Sequence, residues 1–169
     1  MNILPILQHA QLCVEFFVPG KPATAGSKRG HWNPAAVRKD GGLGKVVMAP
    51  DAKDAVPWRM NVQGHAMQAM IGKVVATGPI LLMAQFVMQR PKSHYRGGKY
   101  ENGLRGDAPA FSGSKPDIDK MARAINDAIK GIVWHDDSQV ALQITSKPYA
   151  NPGETPGAQV RVYGIVIPK

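Results

Sequence analysis

The sequence predicts an α+β fold: a single mixed β-sheet of about four strands, two main helices in the order β-α-β-α-β-β, and long basic loops. Three observations lead to that reading. Two stretches, 57–71 and 117–132, repeat apolar residues at helical spacing, and others are apolar, β-branched or aromatic runs of strand length. No internal repeat and no linker divides the 169 residues, so one domain over 1–169 is expected. A chain of this length, 44% apolar and 20% charged, can bury a real core.

Taken in order, residues 12–18, LCVEFFV, end at Pro19-Gly20 and read as the first strand. Residues 20–52 are rich in glycine and proline, carry Lys21, Lys28, Arg29, Arg38, Lys39 and Lys45, and show little periodicity. A long functional loop is expected there, within which GKVVM can pair as a short strand. Pro57 suits the first turn of a helix that runs through Ile71 and stops at Gly72. Trp58, Val62, Ala66, Ala69 and Met70 recur along that helix, and Met60, Met67 and Met70 are expected as core filler. Residues 79–88, PILLMAQFVM, read as a central, well-buried strand.

A second basic, glycine-rich loop, Arg90 to Lys115, leads to the next helix. In that helix Ile118, Met121, Ala122, Ile125, Ile129 and Ile132 make one apolar face over four turns, and Gly131 marks its end. Val140, Leu142 and Ile144 alternate with polar residues as a half-buried strand. A turn over 148–157 then precedes a last strand from Gln159 to Ile167.

The formal charge of +9 and pI near 9.9 point to a polyanionic partner, nucleic acid first. Lysines and arginines are dispersed and no basic amphipathic helix stands out, so a membrane surface is not the expected partner. Solubility through net charge is the plain alternative. Cys13, the single cysteine, excludes an intrachain disulfide and a multi-cysteine zinc site, and its apolar surroundings make it a structural thiol. The first residues lack a basic n-region, Pro5 interrupts their apolar stretch, and no window reaches the roughly 18–20 apolar residues of a membrane span. A soluble, cytoplasmic protein is expected.

Against this basic background lies an acidic island. Residues 117–137 hold five of the twelve acidic residues against three basic ones, a net −2, while the rest of the chain carries +11. One reading is structural: Asp117 at a helix start, where free backbone N–H groups favour a carboxylate, then Asp119, Arg123 and Asp127 in one outward stripe of i,i+4 pairs. That leaves the adjacent charges Asp136 and Asp137 unexplained. A divalent cation explains all of them together. Mg²⁺ prefers a few carboxylates plus water and phosphate, and it would relieve the repulsion of three or four converging carboxylates. The residues for metal-assisted phosphodiester hydrolysis are then present, with basic loops to bring the DNA. His94 and His135 lie nearby and read as solvent or DNA contacts. There is no phosphate-loop lysine motif, no nucleophile elbow and no zinc spacing.

At KPDIDK…AINDAIKGIVWHDDSQV, residues 115–140, the sequence resembles the RusA-type Holliday junction resolvases, especially those of bacteriophages and prophages. The likeness covers most of the chain and is weaker at RPKSHY (90–95), GSKR (26–29) and PWR (57–59). It implies a small homodimeric endodeoxyribonuclease that depends on Mg²⁺, with Mn²⁺ as a substitute, and cuts branched DNA such as a four-way junction. The family's three catalytic aspartates fall on Asp117, Asp119 and Asp137, the implied metal ligands. Its functional lysine, one turn after the second aspartate, is Arg123 here, and a position often held by asparagine is Lys120. Asp127 and Asp136 match supporting acidic positions. Arg123 and Lys120 would hold the phosphate, with Lys28, Arg29, Lys92 and Arg96 as outer DNA contacts. The rival from another class is a non-catalytic DNA-binding protein of the same fold. A nuclease for RNA or flap substrates is the third reading.

Overall fold

The computed structural model describes residues 8–25, 28–50, 54–97 and 103–165. Strands β1 (Ala10–Pro19), β6 (Gly157–Ile165), β4 (Ile80–Val87) and β5 (Val140–Ser146) form one four-stranded sheet in that spatial order. β6 runs antiparallel to both β1 and β4, whereas β4 and β5 are parallel. A parallel pair needs a long crossover. Here it consists of the second basic loop and helix α2 (Ile118–Ile129). The expected mixed α+β architecture is the one observed.

Alternation decides which side of each strand is buried. Val14, Phe16 and Val18 of β1 and Ala158, Val160 and Val162 of β6 are buried at every second position. The internal strand β4 is buried almost throughout, as its continuous apolar run requires. Helix α1 (Ala55–Ala69) adds Trp58, Val62 and Ala66 to the core. From α2 come Met121, Ala122, Ile125 and Ile129 of the apolar stripe read in the sequence, joined by Ala124 and Ala128, while Ile118 and Ile132 pack against the core half-buried. α2 stops at Ile129. Gly131 then takes a positive φ of 77°, and its N–H donates to the Trp134 carbonyl at 2.7 Å, folding residues 131–134 into a turn that buries Val133 and Trp134. Cys13 is half-buried in β1.

Two expectations need correction. Residues 20–52 are not mainly loop: β2 (Lys28–Val37) and β3 (Leu43–Pro50) pair antiparallel as a separate two-stranded ribbon. Its turn is closed by Asp40, whose Oδ1 accepts from the Gly42 N–H at 3.0 Å. GKVVM, expected as a short strand, lies within β3, and the side chains described along the two strands are mostly exposed, which imposes no periodicity. Second, Met60 and Met67 are 65% and 57% exposed and fill no core. They sit seven residues apart on the outer side of α1, and only Met70 of the three packs against the core. No helix among the described residues is long and apolar enough to cross a membrane. The expected end of the last strand at Ile167 lies outside the described residues.

Candidate active site

Asp117 is the N-cap of α2, with extended backbone and no capping hydrogen bond from its side chain. Its carboxylate turns instead to Lys120 one turn on, at 2.7 Å. The Lys120 ammonium holds the Asp117 carboxyl below the usual carboxylate range, helped by the fields of Lys115 and Lys147. Lys120 is raised in turn, first by Asp117 and further by Asp119. Asp119 is exposed in the first turn, and Arg123 and Asp127 continue the exposed stripe. Among the described residues Arg123 pairs with neither aspartate, so the expected i,i+4 bridges do not form there.

The loop before α2 is pinned rather than loose. The Lys147 ammonium, just past the end of β5, donates to the carbonyls of Ser114 at 2.6 Å and Pro116 at 2.9 Å. Backbone bonds from Ser112 N–H to the Lys147 carbonyl and from Tyr149 N–H to the Ala110 carbonyl, both 2.9 Å, join the same segments. Arg90 is buried and donates to the carbonyls of Ala150 (2.8 Å) and Pro109 (2.9 Å), with its guanidinium 5.3 Å from the Tyr149 ring centroid. On the other side the Ala25 N–H donates to the Lys120 carbonyl at 3.3 Å, fastening the segment after β1 to the first turn of α2.

These segments line an open cleft of about 840 Å³ at the N-terminus of α2. Asp117 lines it together with Lys21, Lys92, Lys115 and Lys120, and Tyr149 forms part of its wall. A hollow whose lysines and Arg90 outnumber its two carboxylates, Asp117 and Asp54, suits a phosphodiester. Sequence reasoning missed Lys21, Lys115 and Lys147. Lys115 stands two residues before Asp117 and was open to notice, while Lys147 offered no local signal, because the bend after β5 brings it there. Of the expected outer contacts, Lys92 lines this cleft. Arg96 is exposed elsewhere on the loop, its Nε donating to the Leu104 carbonyl at 2.9 Å. Lys28 and Arg29 begin β2, but their side chains lie outside the described residues. His94 packs edge-on against Tyr149, with ring centroids 5.0 Å apart, and His135 is exposed.

Asp136 and Asp137 sit at the other end of α2. Lys130 spans them, 2.8 Å from Asp136 Oδ2 and 3.4 Å from Asp137 Oδ2. Asp137 Oδ1 accepts from the Trp134 indole N–H at 3.2 Å, and Asp136 Oδ1 from the Ser138 N–H at 3.0 Å, capping a short 3₁₀ turn. Lys130 first, then these Ser138 contacts, hold Asp136 well below the carboxylate range. Gln139 completes the turn. Its Oε1 accepts from the N–H groups of His135 (2.8 Å) and Asp136 (3.0 Å), and its Nε2 donates to the carbonyls of Ala76 and Gly78, both at 3.0 Å.

The expected convergence of the carboxylates is therefore not found within one chain. Twelve residues of α2 separate Asp117 from Lys130, about 18 Å along the axis. Among the described residues no group of three potential ligands could hold a metal ion. Asp117 and Asp119 suit a Mg²⁺ bound through two carboxylates and substrate phosphate. Asp137 does not fit that set from the same chain.

Comparison with known proteins agrees with the motif. The family model described as "Endodeoxyribonuclease RusA" matches residues 19–163. The chain is also similar to the uncharacterized protein YqaN of Bacillus subtilis (strain 168), 29% identical over 154 residues, covering 89% of this chain and 95% of that protein.

Proposed function

The chain belongs to the RusA endodeoxyribonuclease family, and on that premise we propose that it cuts Holliday junctions or related branched DNA by metal-assisted phosphodiester hydrolysis. The observation that supports this most is the basic cleft of about 840 Å³ at the N-terminus of α2, with Asp117 on its edge. In this reading Lys21, Lys92 and Lys115 receive the sugar-phosphate backbone. Asp117 and Asp119 would hold Mg²⁺, or Mn²⁺ in its place. Such an ion, when bound, polarises a phosphoryl oxygen and lowers the pKa of a bound water. Lys120 then exchanges its carboxylate partner for a phosphate oxygen, and Arg123 approaches the same phosphate from the exposed side of the helix.

The reading includes a two-fold homodimer, because a four-way junction needs two related nicks. It also gives Asp137 a place. With α2 between them, Asp137 can join Asp117 and Asp119 only from a second copy of the chain.

The test is incubation with a synthetic four-way junction, with Mg²⁺ and with chelator. Cutting with the ion, and binding without cutting in chelator, is expected. Binding in both conditions with cutting in neither would leave a non-catalytic DNA-binding protein. Preferential cutting of RNA or a flap would reassign the substrate.

A further inference from the structure

The ribbon of β2 and β3 has no counterpart in the site just described. It is about 30 Å long by strand rise, and it presents apolar side chains to solvent on both faces. Trp32 is 64% exposed and Val46, directly opposite it, 59%. Leu43 and Val37 are exposed near the turn, and Val47 is partly open on the other face. A two-stranded ribbon standing alone is marginal in water and calls for something to cover it.

Charge decides what that is. Residues 28–50 carry five basic side chains against Asp40 alone. Two such ribbons laid together would repel, whereas a polyanion is attracted. A two-stranded ribbon also has the width to enter a DNA groove. The tryptophan is held ready. Gly44, at φ +82°, lies under the Trp32 indole, and a Cβ there would collide with the ring. One side of the indole thus rests on backbone while the rest stays open, a rigid aromatic platform on a basic ribbon. Exposed bases stack on such platforms whatever their sequence.

We infer that this ribbon is a DNA-docking arm, and that Trp32 stacks on a base left open at the branch point. The inference rests on the DNA-acting reading above but not on cutting. It can be followed by tryptophan fluorescence, because Trp58 and Trp134 are buried and only Trp32 is exposed to acrylamide. With chelator present, a saturating four-way junction should reduce quenching of Trp32 severalfold, and an intact duplex of equal length much less. Trp32→Ala should weaken junction binding about tenfold, while Trp32→Phe should retain most of the affinity and lose the quenchable emission. Three results would overturn the inference: Trp32 as quenchable in the saturated complex as in the free protein, equal protection by duplex, or protection without DNA that grows with protein concentration, which would make a second copy the occupant. A protein that shields Trp32 yet cuts nothing with Mg²⁺ would remove the nuclease reading and keep the arm. One that cuts with Trp32 still open would do the reverse.

Discussion

Asp117 caps, and Asp119 lies in the first turn of, a helix whose N–H groups already favour negative charge, so replacing either by asparagine keeps shape and removes a charge. Each change should abolish junction cutting and leave binding intact or slightly tighter, as read by gel shift beside a cleavage assay. Arg123 carries a separate expectation, since the structure shows it exposed and unpaired with its helical neighbours among the described residues. Arg123→Ala should slow single-turnover cutting at least tenfold with little change in melting temperature, and Arg123→Lys should recover part of the rate. A wild-type rate for Arg123→Ala would leave the side chain no phosphate role. Asp136 differs in kind. Lys130 and the Ser138 N–H depress its carboxyl, so its charge stabilises the fold above the unfolded pKa near 3.9, and that contribution is lost as pH falls through the lower folded value. Asp136→Asn can still cap the turn. The gap in stability between wild type and this variant should stay level from pH 7 to about 5 and close below about 4, in urea melts across that range. A gap independent of pH would show that the carboxylate charge contributes nothing.

Between α2 and β5, the segment HDDSQ turns out to be a joint as well as a motif. Gln139 makes four hydrogen bonds that tie the 3₁₀ turn to the carbonyls of Ala76 and Gly78 before β4. Gln139→Leu should cost about 2 kcal/mol of stability, the scale of stranded polar groups, measured by denaturant unfolding. Equal stability would mean that water replaces the amide without loss. The elements differ in how far the sequence disclosed them, and burial is the reason. α2 was legible to within a turn because one face is fully buried, and β1, β4 and β6 because their inward residues alternate or run continuously. Of the ribbon only GKVVM, within β3, was legible, and β2 escaped because exposed side chains impose no pattern; Met60 and Met67 misled because α1 buries only a narrow strip. At the site the D-x-D and DD pairs were legible as chemistry. Their ends of the helix were legible too, from Asp117 at its start and Gly131 at its stop, but not that the two pairs stay about 18 Å apart within one chain with α2 between them.

At the scale of the whole molecule, charge and symmetry set the expectations. With +11 of formal charge outside the acidic island, junction affinity should fall steeply with salt, at about −0.9 in log–log slope per phosphate contacted on duplex DNA. A flat titration would count against a DNA-binding surface. The separation of Asp117 from Asp137 gives a sharper test. Asp117→Asn and Asp137→Asn proteins, each inactive alone, should regain part of the cutting activity when unfolded together and refolded. In such a mixed pair one site has both aspartates intact and the other has neither. No recovery, with one variant isotope-labelled so that mixed dimers are demonstrated by mass, would require each chain to build its own site.

If the sites are shared in this way, α2 becomes a gauge. Each catalytic centre takes one end of one helix and the opposite end of its twin, so the distance between the two centres follows the helix length and not the reach of any loop. A rigid rod of about three turns would then set how far apart the two strands of a junction are opened, and so whether the products have ends that can be rejoined. Lengthening the rod by one turn in both copies would keep every side chain of the site while moving the two nicks apart on the DNA.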